Sequence, residues 1–484
     1  MENLTGGTPP VRYLLCVVPC KLYFSKIEIT NFRLFGADAT FSIEGFNTPD
    51  GGTPGSGINV FVGENGAGKT TLLDAISLPL LEYKGDSFCL EDMSDPQQPT
   101  TIRDLADTAF SVKGTMPKTD FNALGFVFKA RVRSRSASNY LSSIVVSDQL
   151  FIKENPEKPA DNSPDLRMTV NNPFSGKRFS ENDVLFLDRN RYNQIKSGTF
   201  NQTRFDRMLE DLDYQYIKGL DSVPDINTAV SEQVRKATIS STPLSSTVSE
   251  FKEITGISVT LDFVENYRPF KEAIFVQRKD NSQQIRLSNM GSGYEMFFAL
   301  IYAYNMALQG NKQLIILIDE PELHMHPSLQ RKLVDYLLNI SATAQIFIST
   351  HSALLIKQLS SVNNAKIMVL QRQDHPVEMA ARKLPYLSAN ETNYLAFGLA
   401  TEEYHNELYE QLKCIHGEEL GIKAFDTQFF VGEKGEVKDR PWKGNPNEVS
   451  IHTHVRNQIH HSADNGLPSE EDIRKSIERM RSYL

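Results

Sequence analysis

The segment INVFVGENGAGKTT, residues 58–71, constrains this chain more than any other. The short run INVFV stops at Gly63, as a buried strand entering a tight loop does. Gly63 to Thr71 then fits the pattern G-x-x-x-x-G-K-[ST], and TTLLDAISLPLLEY continues with a helical pattern broken near Pro79. In a strand–glycine loop–helix unit the backbone N–H groups close around phosphates, and the helix N-terminus adds partial positive charge. Asn65, Gly66, Gly68, Lys69, Thr70 and Thr71 are therefore the candidate nucleotide-binding residues. Lys69 is placed for the β- and γ-phosphates and the Thr70 hydroxyl for Mg²⁺.

Three further segments carry chemistry. In LIILIDEPELHMHP an apolar strand ends in Asp319 and Glu320. Adjacent carboxylates at the end of a buried strand need a cation or a partner. Asp319 is placed for Mg²⁺, and Glu320 for orienting and deprotonating an attacking water. QIFISTHS is a second apolar strand, ending about 30 residues later in His351, which is placed to hydrogen-bond a γ-phosphate or that water. LSNMGSGYE, Leu287 to Glu295, precedes a very apolar helix. Residues 287–375 alternate helix with apolar strand, which predicts an α/β layer.

The rest of the chain sets the surroundings. A formal net charge of -9 argues against coating nucleic acid through bulk charge. A local basic face remains open, because Lys129, Arg131 and Arg133 alternate with Phe126, Phe128, Ala130 and Val132. Cys16, Cys20, Cys89 and Cys414 form no CxxC pair and read as reduced thiols. No apolar run approaches the roughly 20 residues that span a bilayer, so a cytoplasmic protein without a membrane contact is expected.

The chain divides into an extension, 1–20, and a strand-rich stretch, 21–200, in which KLYFSKIEI, NFRLF and ATFSIEGF read as strands. A short helical insertion follows at 201–256, with no sustained heptads, then the motif-rich stretch 257–380 and a mainly helical region, 381–484. Within the last, VGEKGEVKDRPWKGNPNE reads as a linker or long loop. SEEDIRKSIERMRSYL reads as a helix capped at Ser469 and Asp472, with Ile473, Ile477, Met480 and Leu484 on one face.

Together the four motifs resemble the head domain of ABC-type ATPases of the RecF, SMC and OLD group. The resemblance implies an α/β P-loop head, with a mixed sheet flanked by helices and an antiparallel β lobe. It also implies ATP and Mg²⁺ as cofactors, and ATP hydrolysis. In that family a Ser-Gly signature loop caps the γ-phosphate bound by another subunit, so a homodimer or higher homo-oligomer is expected. Ser292 and Gly293 take the signature role here, with Ser288 as an alternative, although the loop departs from the commoner LSGGQ. NFR, residues 31–33, resembles the family segment near the adenine and sugar, which places Arg33 there.

The tail segments TEEYHNELYEQL (401–412) and HVRNQIHHSADNG (454–466), with the SIERMR helix, resemble the PtuA family of Septu antiphage systems, also found beside retrons. That resemblance implies a PtuB-like HNH nuclease partner and no nuclease activity from this chain alone. It extends the partners to DNA or a retron RNA–DNA element. Two alternatives stay open. Arg456-Asn457 followed by His461 is similar to the RNxxxH pattern of HEPN ribonucleases, and a RecF-like DNA-repair ATPase fits the same head.

Overall fold

The computed structural model describes residues 21–78, 92–109, 123–135, 138–152, 184–187, 242–261, 274–277, 284–286, 291–309, 314–323, 325–362, 364–372 and 377–484. The expected extension 1–20, the break at Pro79, Ser288, Cys16, Cys20 and Cys89 lie outside these residues, as does most of the expected insertion. The first half holds β1 (Lys21–Thr30), β2 (Phe41–Glu44), β3 (Ile58–Val62), α1 (Lys69–Ser77), β4 (Thr100–Ala109), β5 (Ala123–Arg135), β6 (Ser138–Ile152) and β7 (Val184–Leu187). After α2 (Thr242–Thr255) come β8 (Val259–Leu261), β9 (Ile274–Gln277) and β10 (Gln284–Arg286). The motif-rich stretch holds α3 (Ser292–Gln309), β11 (Ile315–Asp319), α4 (Pro327–Ile340), β12 (Gln345–Thr350), α5 (Ala353–Ser360), β13 (Lys366–Gln371) and β14 (Glu378–Met379).

The central sheet runs β14-β13-β3-β12-β11-β7, parallel except for the edge strand β14. Strands covered on both faces read as unbroken apolar runs, and β3 and β11 are buried along their whole lengths. Successive side chains feed opposite cores. Val60, Ile316, Ile318, Ile346 and Ile348 face the core filled by α3, α4 and α5. Phe61, Ile315, Leu317 and Phe347 face the other, with Leu72, Leu73 and Ile76 of α1 and Ile27 and Ile29 of β1. Each such side chain contributes on the order of 1.5–3 kcal/mol by leaving water. The antiparallel sheet β2-β1-β4-β5-β6 forms the β lobe. Lys129, Arg131 and Arg133 fall on β5, with side chains outside the described residues. Gln345, fully buried, fastens the lobe to the central sheet. Its Oε1 accepts from the Phe24 N–H at 2.8 Å, and its Nε2 donates to the Phe24 and Asn47 carbonyls at 2.7 and 2.9 Å. The fold is the expected α/β P-loop head.

NFRLF is not a strand. Asn31 and Arg33 take φ of 56° and 48°, and the chain folds back through a bridge between Phe32 and Phe35. The Asn31 amide stabilises the reversal by donating to the Asp95 and Gln98 carbonyls at 2.7 Å.

The C-terminal region has its own core. It comprises α6 (Ala389–Phe397), α7 (Glu402–Gly417), α8 (Ile422–Phe425), a π-helical stretch Asp426–Glu433, strands β15 (Arg440–Trp442) and β16 (Asn445–Val449), α9 (Ile451–His460), α10 (Ser462–Asn465) and α11 (Glu470–Tyr483). Tyr404, Leu408, Tyr409, Phe425, Phe430, Val455, Ile477 and Met480 pack together. The Ser469 hydroxyl caps α11 by accepting from the Asp472 N–H at 3.1 Å, as its sequence predicts. The expected linker is instead the π-helical end and a hairpin. Lys443 and Gly444 take φ of 48° and 83°, the left-handed pair that a tight hairpin turn needs. Arg440 anchors the hairpin to Asp472 at 2.7 Å.

Two buried histidines flank one hydroxyl in this core. His405 Nε2 lies 2.9 Å and His452 Nδ1 2.7 Å from Ser476 Oγ, and all three side chains are fully buried. Burial, then the neighbouring His452, pushes His405 down to about 3, and burial pushes His452 down as well. Both are thus held neutral. The His405 contribution is complete above the unfolded value near 6.5 and is lost as pH falls from there toward about 3, at about 1.4 kcal/mol per unit, and His452 acts in the same direction. The single tryptophan, Trp442, reports on this region. Its fluorescence in urea titrations should show stability falling between pH 6.5 and 4.5, with a shallower slope for His405→Gln. Equal slopes would remove His405 from the account.

Candidate nucleotide site

Parallel strands deliver their C-terminal ends to one edge, so Gly63, Asp319 and His351 arrive side by side at the ends of β3, β11 and β12. Cα partners Val62 and Thr350, and Asp319 and Ser349, fix that alignment. The phosphate loop needs glycine twice for space. A Cβ on Gly63 would sit 2.4 Å from the Leu370 carbonyl, and Gly68, at φ 91°, would press on Val377 at 2.9 Å. Lys69 opens α1 and is buried, its Nζ donating to the Gly63 and Glu64 carbonyls at 2.9 Å. Glu64, Asn65 and Gly66 are exposed at the loop crest. They line a cavity of about 310 Å³ with Leu370, Gln371, Arg372, Leu395 and Ala396.

The Thr70 hydroxyl donates to Asp319, at 3.0 Å from Oδ2 and 3.2 Å from Oδ1. Asp319 is fully buried and also accepts from the Ser349 hydroxyl. A hydroxyl and a carboxylate facing each other beside a phosphate loop are the hard oxygen ligands that Mg²⁺ takes. Among the described residues no cluster of three or more His, Cys, Asp or Glu side chains could hold a metal by itself. Thr70 and Asp319 are the residues that would hold such an ion. Glu320 has a φ of 48°, uncommon for a non-glycine residue, and its N–H is held by the Ser349 carbonyl at 3.0 Å. This bend turns the chain at the strand end. Glu320 Oε1 lies 3.3 Å from His351 Nε2.

Thr71 is buried in the first turn of α1. Arg33 Nε donates to Asp92 at 2.5 Å and Nη1 pairs with Asp74 on α1, so its guanidinium is engaged by two carboxylates. Ser292 and Gly293 begin α3, after Gly291 at φ 113°. Arg456 stacks on Tyr409 and donates to Glu410 at 2.8 and 3.2 Å, while His461 follows α9 as its C-cap.

Sequence reasoning did not single out Ser349 or Glu322. Glu322 Oε1 accepts from the Thr350 hydroxyl at 2.8 Å and from the His351 N–H at 2.6 Å, which fixes the backbone of the histidine. Burial pushes the Glu322 carboxyl up, and the Glu320 charge adds to this, while the accepted hydrogen bonds oppose it. Its place in the run DEPE was the available signal.

The site and fold define a P-loop nucleotide-binding head. Residues 188–356 match the family model described as AAA ATPase domain, and residues 26–88 match one described as AAA domain. AAA-type ATPase sequence thus spans both the phosphate loop and the acidic strand end. The chain is 23% identical over 465 residues to "Retron Vc95 probable ATPase" of Vibrio cholerae serotype O1 biovar El Tor, covering 85% of each. Similar solved structures include an SMC head bound to the C-winged helix domain of ScpA (14% identity, TM-score 0.41, 75% of this chain and 98% of that one). Another is RecF of the RecFOR pathway (11% identity, TM-score 0.39, 74% and 98%).

Glu322→Ala should lower unfolding stability by about 1–3 kcal/mol, because a part-buried N–H and hydroxyl lose their acceptor. Glu322→Gln, which keeps an acceptor oxygen, should retain most of it. Denaturant unfolding of the two variants is the check, and equal losses would contradict the assigned role.

Proposed function

We propose that this chain binds ATP with Mg²⁺ and hydrolyses it, in an ABC-type head that works as at least a homodimer. The observation carrying this reading is the group at the mouth of the phosphate loop. There Thr70 faces buried Asp319, and Glu320 meets His351 at 3.3 Å. Lys69 and the loop N–H groups bind the β- and γ-phosphates, with Asn65, Gly66, Gly68 and Thr71 shaping and continuing the loop. Mg²⁺, when bound by Thr70 and Asp319, would neutralise charge on the phosphates. Glu320 takes the proton of the attacking water, and His351 steadies Glu320 and contacts the γ-phosphate. Hydrolysis here is positioning plus charge stabilisation. Ser292 and Gly293 cap the nucleotide of a second copy, and Arg33 lies toward the sugar and base.

The match to a retron-linked probable ATPase along 85% of the chain supports a role in antiphage defence. The PtuA-like tail segments support an HNH nuclease as partner, with DNA or a retron RNA–DNA element as a further contact. In this reading residues 21–200 and 257–380 build the head around the insertion 201–256, and 381–484 serves partner or oligomer contacts. No helix among the described residues is long and apolar enough to cross a membrane.

Lys69→Ala should abolish tight ATP binding by calorimetry. Glu320→Gln should bind ATP, accumulate as a dimer on size-exclusion chromatography, and lose at least about 100-fold in kcat. Full turnover in Glu320→Gln would remove Glu320 as the base.

A further inference from the structure

His351 is held at two points, its N–H by Glu322 and its Nε2 beside Glu320. Beside the imidazole is Phe397, the last residue of α6, whose ring centroid is 6.3 Å away with the planes tilted by 33°. The separation lies within the range of about 4.5–7 Å over which aromatic rings interact.

Phe397 is itself held from both sides. Leu395, Ala396 and Phe397 pack on the core beneath β3 and β12, whereas Tyr394 packs on the C-terminal core. Gln371 Nε2 donates to the Leu395 carbonyl at 2.8 Å. At the start of the helix, the Ser388 hydroxyl accepts from the Glu391 N–H at 3.0 Å. Fully buried Glu391 accepts from Tyr404 of α7 at 3.2 Å and from Arg481 of α11 at 3.1 Å. The helix ends at once after Phe397, where Gly398 turns with φ 65° and donates to the Tyr394 carbonyl at 2.9 Å. A helix fastened at its start to two C-terminal helices thus ends on the proposed hydrolytic histidine.

We infer that Phe397 is a positioning residue for His351, so that the C-terminal region completes the hydrolytic site of its own chain. This rests on the ATPase reading above. An aliphatic or aromatic side chain adds no competing hydrogen bond, so it can fix the ring plane while leaving Nε2 to Glu320.

The test uses the full chain. Phe397→Ala should lower kcat by about tenfold to a hundredfold through misplacement of His351. KM and the ATP Kd should change by less than about twofold, because the phosphate loop is untouched. Phe397→Tyr should restore kcat to within about twofold of the parent. An independent readout is the His351 imidazole resonance in ¹³C-histidine-labelled protein, assigned by its loss in His351→Gln. It should move in Phe397→Ala, where the aromatic ring current is removed, and stay close to the parent in Phe397→Tyr. Unchanged kcat with an unmoved resonance overturns the inference. Equal losses in kcat and ATP binding for both variants also overturn it, as general damage. If the parent protein binds ATP without hydrolysing it, the ATPase reading fails. The resonance then decides the contact alone, supporting it by moving and overturning it by staying.

Discussion

A carboxylate buried without exposure at the end of a strand dictates the rest of this site. Asp319 is tolerated because hydroxyls from two neighbouring elements meet it, Thr70 from the phosphate helix and Ser349 from β12. Those hydroxyls arrive only if β3, β12 and β11 lie in that order and in that register. A slip of one residue would exchange the side chains that fill the two cores and carry Ser349 away from the carboxylate. The two hydrophobic cores and the polar centre therefore impose the same alignment.

Much of this was legible in the sequence, because the responsible signals are local. A phosphate loop needs glycines at fixed spacing, and strands buried on both faces need continuous apolar residues. Gly63 to Thr71, Asp319 and His351 therefore stand out in short windows. The α/β class follows from the alternation around them, and the C-terminal helix declares its cap at Ser469 and its apolar face.

What was not legible depends on contacts between distant segments or on backbone sign. NFRLF has the apolar content of a strand, yet Asn31 and Arg33 occupy left-handed conformations stabilised by carbonyls more than 60 residues away. The stretch after Glu433 is rich in Gly, Pro and charge, so it read as a loop. Its hairpin is held by Arg440 reaching Asp472, a pairing no window contains. Gln345, Glu322 and Phe397 share this character. A glutamine opening an apolar strand, a third acid in a run and a phenylalanine at a helix end are unremarkable until their partners are in place.

Helix α6 belongs to two hydrophobic cores at once, and this bears on what counts as a separable unit. A cut placed after β13, where the nucleotide motifs end, would remove a wall of the cavity at the loop crest and the ring lying against His351. The smallest self-sufficient piece is therefore larger than the motifs suggest. The same continuity gives a mechanical route in the opposite direction. Anything that grips α7 or α11 pulls on the helix that touches the histidine, without needing access to the nucleotide.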